Sequence, residues 1–314
     1  MATTMIAAPL TAHADTADEA ALKTIVESVG NLADRGNFDT LATLFDDEVM
    51  VDYSSLSGEN ASVKSPKALM TEWSASLPGF DRTRHEIGDV RVSVDGDTAT
   101  AKADVVASHW VGDAMWQVDG SYDYAFARDG EDWKITSMTF NLENETGSRD
   151  VFGPAMQNAE ANPSDFMLRQ TAQQLVLDFL TGLEDKDMDR VNGVWADDAV
   201  QEMPYTPQGV GFPDRVVGKP ALVKQYAGWP ENAGNANFTD EMRFYPSPDP
   251  RTVIVEYRGV SEIVTTGRTY DQKYIGVFHT DNGKITLFRE YFDPNVFANA
   301  FKLKPDGGAF YSDE

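Results

Sequence analysis

The strongest constraint on this chain is an internal repeat with an offset of 150 or 151 residues. Residues 32–39 are echoed by residues 183–189, and residues 45–49 are echoed by residues 196–200. A fixed period of this length indicates copies of one structural unit. Since a domain takes roughly 150 residues, the 314 residues predict two domains of one fold, each large enough to bury its own core.

The repeat also predicts where the domains begin and end. Residues 146–165 are rich in Gly, Asn, Ser and Pro, a composition typical of a linker. From Pro294 onward we expect the chain to pack loosely. The predicted segments are a flexible N-terminus over 1–17, a first domain over 18–145, the linker, a second domain over 166–298 and a C-terminal tail over 299–314.

In each copy, helix signals come first and strand signals follow. Ser65 before Pro66 is typical of a helix start, because Ser caps the first turn and Pro is well tolerated at the first position of a helix. Asp95 and Gly96 stand between two runs of alternating apolar residues, which predicts a two-residue hairpin. An amphipathic helix is predicted by the spacing of Leu22, Ile25, Val26, Val29 and Leu32.

Helices followed by an antiparallel meander predict an α+β domain in which helices cover one face of a curved sheet. Such a sheet encloses a conical cavity suited to a small molecule. Over residues 20–142 and 168–297 the two copies resemble the nuclear transport factor 2-like (NTF2-like) superfamily, in its SnoaL-like branch. The resemblance implies two tandem cone-shaped α+β barrel domains. It does not choose a function, because that superfamily contains dehydratases, isomerases, cyclases, hydrolases and non-catalytic binders.

Four residues of the first domain form a candidate catalytic set: Asp34, Tyr53, His85 and His109. Asp34 ends the predicted first helix, and Tyr53 lies in the segment after the next strand. The two histidines flank the predicted hairpin at comparable distances, so they belong at the same end of it and near one another. An imidazole with an ordinary pKa near 6.5 can take a proton at neutral pH.

This set is similar to that of the scytalone dehydratase family and, more loosely, of the hexachlorocyclohexane dehydrochlorinase family. The resemblance implies that His85 removes a proton from carbon, that Asp34 orients His85, and that Tyr53 and His109 polarise a carbonyl or help the leaving group. The chain departs from the dehydratase pattern at Ala33, which replaces a tyrosine. Scytalone itself is therefore not the expected substrate.

Aromatic residues near the histidines predict a pocket for a flat apolar or aromatic ligand. Packing around His109 is the alternative role for these rings. The residues expected to bind substrate are Trp110, Trp116, Tyr122 and Asn141.

The second domain keeps Asp185 at the position of Asp34, but the position of His85 falls on or near Phe238, so the pair is lost. Two interpretations stay open. A carboxyl group in an apolar pocket, where desolvation raises its pKa, could serve a second active site. Alternatively the domain has lost catalysis and forms an internal pseudo-dimer with the first, in a chain that could also form homo-oligomers. The candidate residues are Asp185, Tyr205, Glu256 and Glu290.

Composition narrows the classes of function. Lys and Arg number 26 against 51 Asp and Glu, giving a net charge of −25, so nucleic acid and membrane surfaces are not expected partners. The chain has no Cys, which excludes disulfides and thiolate metal sites. We expect no metal and no cofactor. Residues 12–14 resemble a signal cleavage site, but no Lys or Arg precedes Lys23, so the cytoplasm is predicted, with periplasmic export as the alternative.

The sequence thus predicts a cofactor-independent lyase that abstracts a carbon-bound proton and eliminates water, or another small leaving group, from a hydroxylated aromatic or alicyclic molecule. One alternative is an isomerase or cyclase of the SnoaL or ketosteroid isomerase kind, which needs no leaving group. Another is a non-catalytic protein that binds a small molecule. Substitution of His85 separates the lyase from the other two.

Overall fold

The computed structural model describes residues 11–207, 209 and 211–302. It divides into two compact units, Met1–Met167 and Leu168–Glu314. Residues 1–10 of the predicted flexible N-terminus and 303–314 of the predicted tail lie outside the described residues. The described part of that N-terminus belongs to the first helix.

The first unit combines five helices with one sheet, within the described residues. Two short 3-10 helices, Leu77–Gly79 and Arg149–Val151, join them. The helices and strands are α1 (Thr11–Asp34), α2 (Phe38–Ala42), β1 (Phe45–Asp52), α3 (Ser54–Ser57), β2 (Ser62–Lys64), α4 (Pro66–Ser74), β3 (Arg82–Asp95), β4 (Thr98–Val111), β5 (Ala114–Asp129), β6 (Asp132–Gly147) and α5 (Phe152–Ala161).

The sheet of this unit has the strand order β2-β1-β6-β5-β4-β3. Only the β1–β6 pair is parallel among the pairings described, and the other neighbours run antiparallel. β3 and β4 form the predicted hairpin, in which Gly96 takes a positive φ of 60° at the turn. The turn brings His85 opposite Ala107 and Thr83 opposite His109, so the two histidines share one end of the hairpin.

The second unit repeats this order. Its sheet runs β10-β11-β12-β13-β7-β8, with β9 paired to β11. The elements are α6 (Asp165–Asp185), α7 (Met188–Gly193), β7 (Trp195–Glu202), β8 (Arg215–Val217), α8 (Lys219–Tyr226), α9 (Trp229–Asn232), β9 (Ala233–Asn237), β10 (Arg243–Tyr245), β11 (Thr252–Ile263), β12 (Arg268–Asp281), β13 (Lys284–Phe292) and α10 (Pro294–Phe301).

The predicted signals for the helices of the first unit are confirmed. Leu22 and Val26 of α1 are fully buried and Val29 is nearly so, as one apolar helix face requires. Helix α4 begins at Pro66, and the Ser65 Oγ accepts a hydrogen bond from the Ala68 amide at 3.2 Å. Each unit has its own apolar core. No helix of the described residues is long and apolar enough to cross a membrane.

Two expectations about irregular segments are wrong. The predicted linker over 146–165 contains α5, which packs so closely on the first unit that a Cβ on Gly79 would lie 1.7 Å from the Ala155 carbonyl oxygen. The chain after Pro294 forms α10, in which Phe297 is only 6% exposed. In both cases small and polar residues accompany a few apolar side chains, and burial of those side chains outweighs the turn-like composition.

Candidate functional site

Asp34 and His85 form a hydrogen-bonded pair where the end of α1 meets the start of β3. The Asp34 Oδ1 lies 2.7 Å from the His85 Nδ1, and the Asp34 Oδ2 accepts from the His85 backbone amide at 2.8 Å. The Thr83 hydroxyl also donates to Asp34, at 2.7 Å. A carboxylate only accepts, so Nδ1 of the neutral imidazole carries the proton and Nε2 keeps its lone pair.

The hydrogen bonds that Asp34 accepts keep its carboxyl group ionised. Partial burial favours the neutral carboxyl group, but the hydrogen bonds from His85 and Thr83 outweigh it, so the pKa of Asp34 lies below its ordinary value. The His85 side chain is 13% exposed and that of Asp34 is 20% exposed. A fixed anion on one ring nitrogen stabilises the imidazolium that forms when the other nitrogen takes a proton.

Gly30 is a supporting residue that the sequence analysis missed. It lies one turn before Asp34 on α1, and a Cβ there would be 2.8 Å from the Cβ of His85. Glycine therefore lets β3 approach the helix closely enough for the Asp34–His85 hydrogen bonds. A glycine in the interior of a predicted helix was the available signal, because it costs helix stability and calls for a packing reason.

His109 lies beside His85 but is held in its neutral form. The two rings meet edge to face at 5.4 Å between centroids, and Phe80 and Trp116 lie about 5 Å from His109. Desolvation, with a smaller contribution from the nearby His85, lowers the pKa of His109 to about 3. His109 is 4% exposed, and its Nδ1 has no hydrogen-bond partner within the described residues.

A cavity of about 360 Å³ opens beside His109. Tyr53, Trp116 and Tyr122 line it together with His109, as do apolar residues of α3, α4 and α5. Burial raises the pKa of Tyr53 well above its usual range, and raises that of Tyr122, so both phenols are neutral hydrogen-bonding groups. Two of the four predicted catalytic side chains, Tyr53 and His109, thus line the cavity. The Asp34–His85 pair lies behind His109 and is not part of the lining.

Two of the predicted substrate-binding residues lie away from this cavity. Trp110 follows His109 on β4 and points to the other face, where the Arg82 guanidinium lies 3.9 Å from its ring. Asn141 likewise follows the cavity-lining Phe140, and its Nδ2 donates to Asp123 at 2.7 Å. The interpretation of both residues was wrong, because adjacent strand residues face opposite sides of a sheet.

In the second unit the carboxylate that takes the place of Asp34 is Glu184, not Asp185. Glu184 Oε1 accepts hydrogen bonds from the backbone amides of Phe238 and Thr239, much as Asp34 accepts from His85. Asp185 is 63% exposed and lies 3.7 Å from Arg190. With Phe238 in place of the histidine, this position of the second unit has no imidazole.

Glu290 is the candidate of the second unit that lines a cavity. The cavity measures about 340 Å³ and is walled mainly by aromatic side chains. The Tyr257 hydroxyl donates to Glu290 Oε1 at 2.7 Å. Desolvation raises the pKa of Glu290 to about 7 despite that hydrogen bond.

Tyr205 and Glu256 lie in a separate groove on the outer side of this sheet. Tyr205 is 57% exposed and packs on Tyr291, and Glu256 accepts from the Tyr245 hydroxyl at 2.5 Å. Neither side chain lines the cavity that contains Glu290. Within the described residues, no group of three or more His, Asp or Glu side chains is arranged to hold a metal ion.

Comparison with known proteins gives the same result for both halves. One model of the SnoaL-like domain family matches residues 14–139, and a second model of a SnoaL-like domain matches residues 176–288. The protein YesE of Bacillus subtilis is 35% identical over 136 residues, which cover 43% of this chain and 87% of YesE.

Solved structures match one half of the chain at a time. A crystal structure from Bacillus subtilis is 31% identical, covers 46% of this chain and 99% of its own, and has a TM-score of 0.40. The structure of a hexachlorocyclohexane dehydrochlorinase (LinA, type 2) is 18% identical, covers 43% of this chain and 90% of its own, and has a TM-score of 0.38.

Proposed function

Since this chain belongs to the SnoaL-like family through both of its domains, we propose that its first domain is a cofactor-independent lyase. The proposed reaction removes a carbon-bound proton and eliminates water from a small hydroxylated aromatic or alicyclic molecule. The observation that carries the proposal is the 2.7 Å contact between Asp34 Oδ1 and His85 Nδ1, beside a neutral histidine that borders a cavity.

The proposed step balances without a further reagent. The Nε2 of His85 takes the proton from the carbon next to an activating group, and the electrons of that C–H bond form a C=C bond. The C–O bond to the neighbouring hydroxyl group breaks, and the oxygen leaves as water with the proton returned from the His85 imidazolium. General acid–base help of this kind is worth roughly 10² to 10⁴ in rate.

His109 and Tyr53 suit the second role, stabilising charge on oxygen. A histidine whose pKa is about 3 is a poor base at neutral pH, but its neutral ring can donate one hydrogen bond. Tyr53 lines the same cavity and keeps its phenolic proton. Either group can donate a hydrogen bond to a carbonyl oxygen or to the departing hydroxyl group, while Trp116 and Tyr122 provide flat apolar surface for the substrate ring.

Turnover of a small panel, followed by mass spectrometry, tests the proposal. The panel holds β-hydroxy ketones, hydroxylated polycyclic phenols, aryl propanediols and a polychlorinated cyclohexane. We compare the wild type with His85→Gln, and use His279→Gln as the matched control because His279 lies in the second unit and contacts Thr252. Loss of water or halide with the wild type and the control, and a rate reduced at least about 100-fold in His85→Gln, supports a lyase.

Other outcomes contradict it. Equal elimination rates in His85→Gln and the wild type remove His85 from the mechanism. A rearranged product of unchanged mass, formed equally by both proteins, favours the isomerase or cyclase alternative instead. Binding of a panel member without conversion by any protein favours a non-catalytic binder.

A further inference from the structure

The cavity of the second unit has an unusual balance of charge. Among its described lining residues none is Lys, Arg or His, and Glu290 is the one carboxylate. The proposed lyase of the first domain makes no use of this cavity. An ionised carboxylate among mainly aromatic and apolar side chains, without a counter-charge, is costly, as the raised pKa of Glu290 reflects. A ligand that brings a positive charge would remove that cost.

The polar atoms that remain available in this cavity include acceptors. Glu290 Oε1 receives one hydrogen bond, from Tyr257, and a carboxylate can accept more than one. Gln225 also lines the cavity, and its buried Oε1 has no donor within the described residues. Its Nε2 is already used, because it donates to Gln201 Oε1 at 2.9 Å. The free sites therefore call for a ligand with N–H or O–H donors.

The walls of the cavity suit a cation attached to an apolar skeleton. Tyr257 and Tyr274 stack in parallel with centroids 4.7 Å apart, and Tyr270 meets Tyr274 edge to face at 6.5 Å. Trp229 and Phe238 form another part of the wall. Aromatic faces attract organic cations through their quadrupoles, most strongly where water is excluded. Aromatic rings also take up the apolar part of a ligand.

From these observations we propose that the second domain binds a small primary or secondary amine in its ammonium form. Its N–H groups donate to Glu290 and to the Oε1 of Gln225, and its apolar part lies against the tyrosine rings. The volume of about 340 Å³ fits a ligand with one ring and a short chain. The site is separate from the Asp34–His85 pair, which belongs to the other unit.

Calorimetric titration of the full chain tests this with probes that share a skeleton and differ in charge. The cationic probes are benzylamine, 2-phenylethylamine and 3-phenylpropylamine, and the matched neutral and anionic probes are 2-phenylethanol and 3-phenylpropanoate. We expect at least one amine to bind at least about tenfold more tightly than the alcohol, and the carboxylate not to bind. Glu290→Gln, which keeps an acceptor for Tyr257, should lose at least tenfold in amine affinity.

Glu256→Gln is the control for this substitution. Glu256 is a tyrosine-bonded carboxylate of the same sheet, but it lies in the outer groove. This variant and His85→Gln should bind the amine as the wild type does. Tyr257→Phe provides a second test, because it removes the hydroxyl group and keeps the ring, and we expect its amine affinity to change less than that of Glu290→Gln. A thermal melt of each variant identifies loss of fold.

The pH dependence supplies a readout that packing alone would not produce. An aliphatic amine stays protonated to about pH 9, as lysine does, whereas Glu290 ionises near pH 7. The titratable groups lining the cavity with it are Tyr226, Tyr257, Tyr270 and Tyr274, and burial raises the pKa of each, so they remain neutral. Amine affinity should therefore rise about tenfold from pH 6 to pH 8.

Three results would overturn the inference. One is absence of binding for every amine, and another is equal affinity for the amine and the alcohol. The third is an amine affinity that Glu290→Gln leaves unchanged in a folded protein. None of these three results would contradict the proposed lyase of the first domain, because that proposal is tested separately, by substrate turnover in His85→Gln.

Discussion

At the scale of single residues, the lyase proposal depends on the charge and the hydrogen-bonding direction of Asp34. Asp34→Asn keeps the shape of the side chain but removes the anion and can offer an N–H to His85, which favours the wrong tautomer. We expect kcat to fall about 10² to 10⁴-fold. Steady-state turnover measures this, and Asp123→Asn, a surface carboxylate bonded to Asn141, should keep the wild-type kcat. Equal values for the two variants would remove Asp34 from the mechanism.

His109 makes a prediction about stability and pH. In the unfolded chain it takes a proton near pH 6.5, whereas in the folded protein it does so only near pH 3. Between these values the unfolded state binds more protons, so stability falls as the pH falls. His109→Phe removes this penalty. At pH 5 the free energy of unfolding of the variant, relative to that of the wild type, should be about 2 kcal/mol more favourable than the same difference at pH 7.5.

Urea denaturation of the wild type and of His109→Phe at pH 7.5 and pH 5 measures the effect. The difference in unfolding free energy between the two proteins should shift in favour of the variant at the lower pH. Profiles that run parallel would show that His109 is not responsible for the acid sensitivity.

The residues of the candidate site could be predicted from the sequence where their chemistry and their spacing agreed. They could not be predicted where the direction of a side chain decided whether it lies in the site. Asp34, His85 and His109 come together because the hairpin signal places both histidines at one end. Trp110 was misassigned because its proximity to His109 along the chain was given more weight than the alternation of strand side chains. Asp185 was chosen over Glu184 because the repeat slips between 150 and 151 residues at this helix end.

At the scale of elements, the contact between α1 and β3 sets the geometry of the site. Gly30→Ala would add a Cβ 2.8 Å from the Cβ of His85, so the strand must move away from the helix. The gain of up to about 1 kcal/mol in helix propensity should be outweighed, with a net loss of about 1–3 kcal/mol in stability and reduced turnover. Denaturation and kinetics on the same preparation measure both.

Gly153→Ala is the matched control for this helix glycine. Gly153 lies in α5, where a Cβ would contact nothing within 4 Å apart from its chain neighbours and the backbone of its own helix. Its replacement should leave turnover unchanged and should not lower stability. Unaltered stability and turnover in Gly30→Ala would show that the helix and strand can separate freely.

Regular elements were predicted from sequence more accurately than the segments between them. The face of α1 and the start of α4 follow from local rules, namely apolar spacing and a Ser cap. Helix α5 was not predicted, because its stability comes from burying Ala155 against Gly79, a contact distant in sequence. Local composition carries no information about such a partner.

At the scale of the whole molecule, one fold carries two cavities of different chemistry. The cavity of the first unit is bordered by a neutral imidazole with an Asp–His pair behind it, and that of the second contains a carboxylate among tyrosines. The scaffold is shared because apolar positions of helix and sheet recur in both halves. The chemistry differs because the few positions at or directly behind the cavity wall, such as those of His85 and Phe238, tolerate change without loss of the core.

The division into two units yields a prediction about fragments of the chain. All residues proposed for the lyase, and both core clusters around them, lie before Leu168. A fragment ending after Met167 keeps Phe166, whose ring lies 6.4 Å from that of Phe38 in the first core. We therefore expect this fragment to unfold cooperatively and to retain the elimination, with no affinity for amines. Circular dichroism, turnover and calorimetry check the three points, and a folded but inactive fragment would mean that the second domain contributes to the first active site.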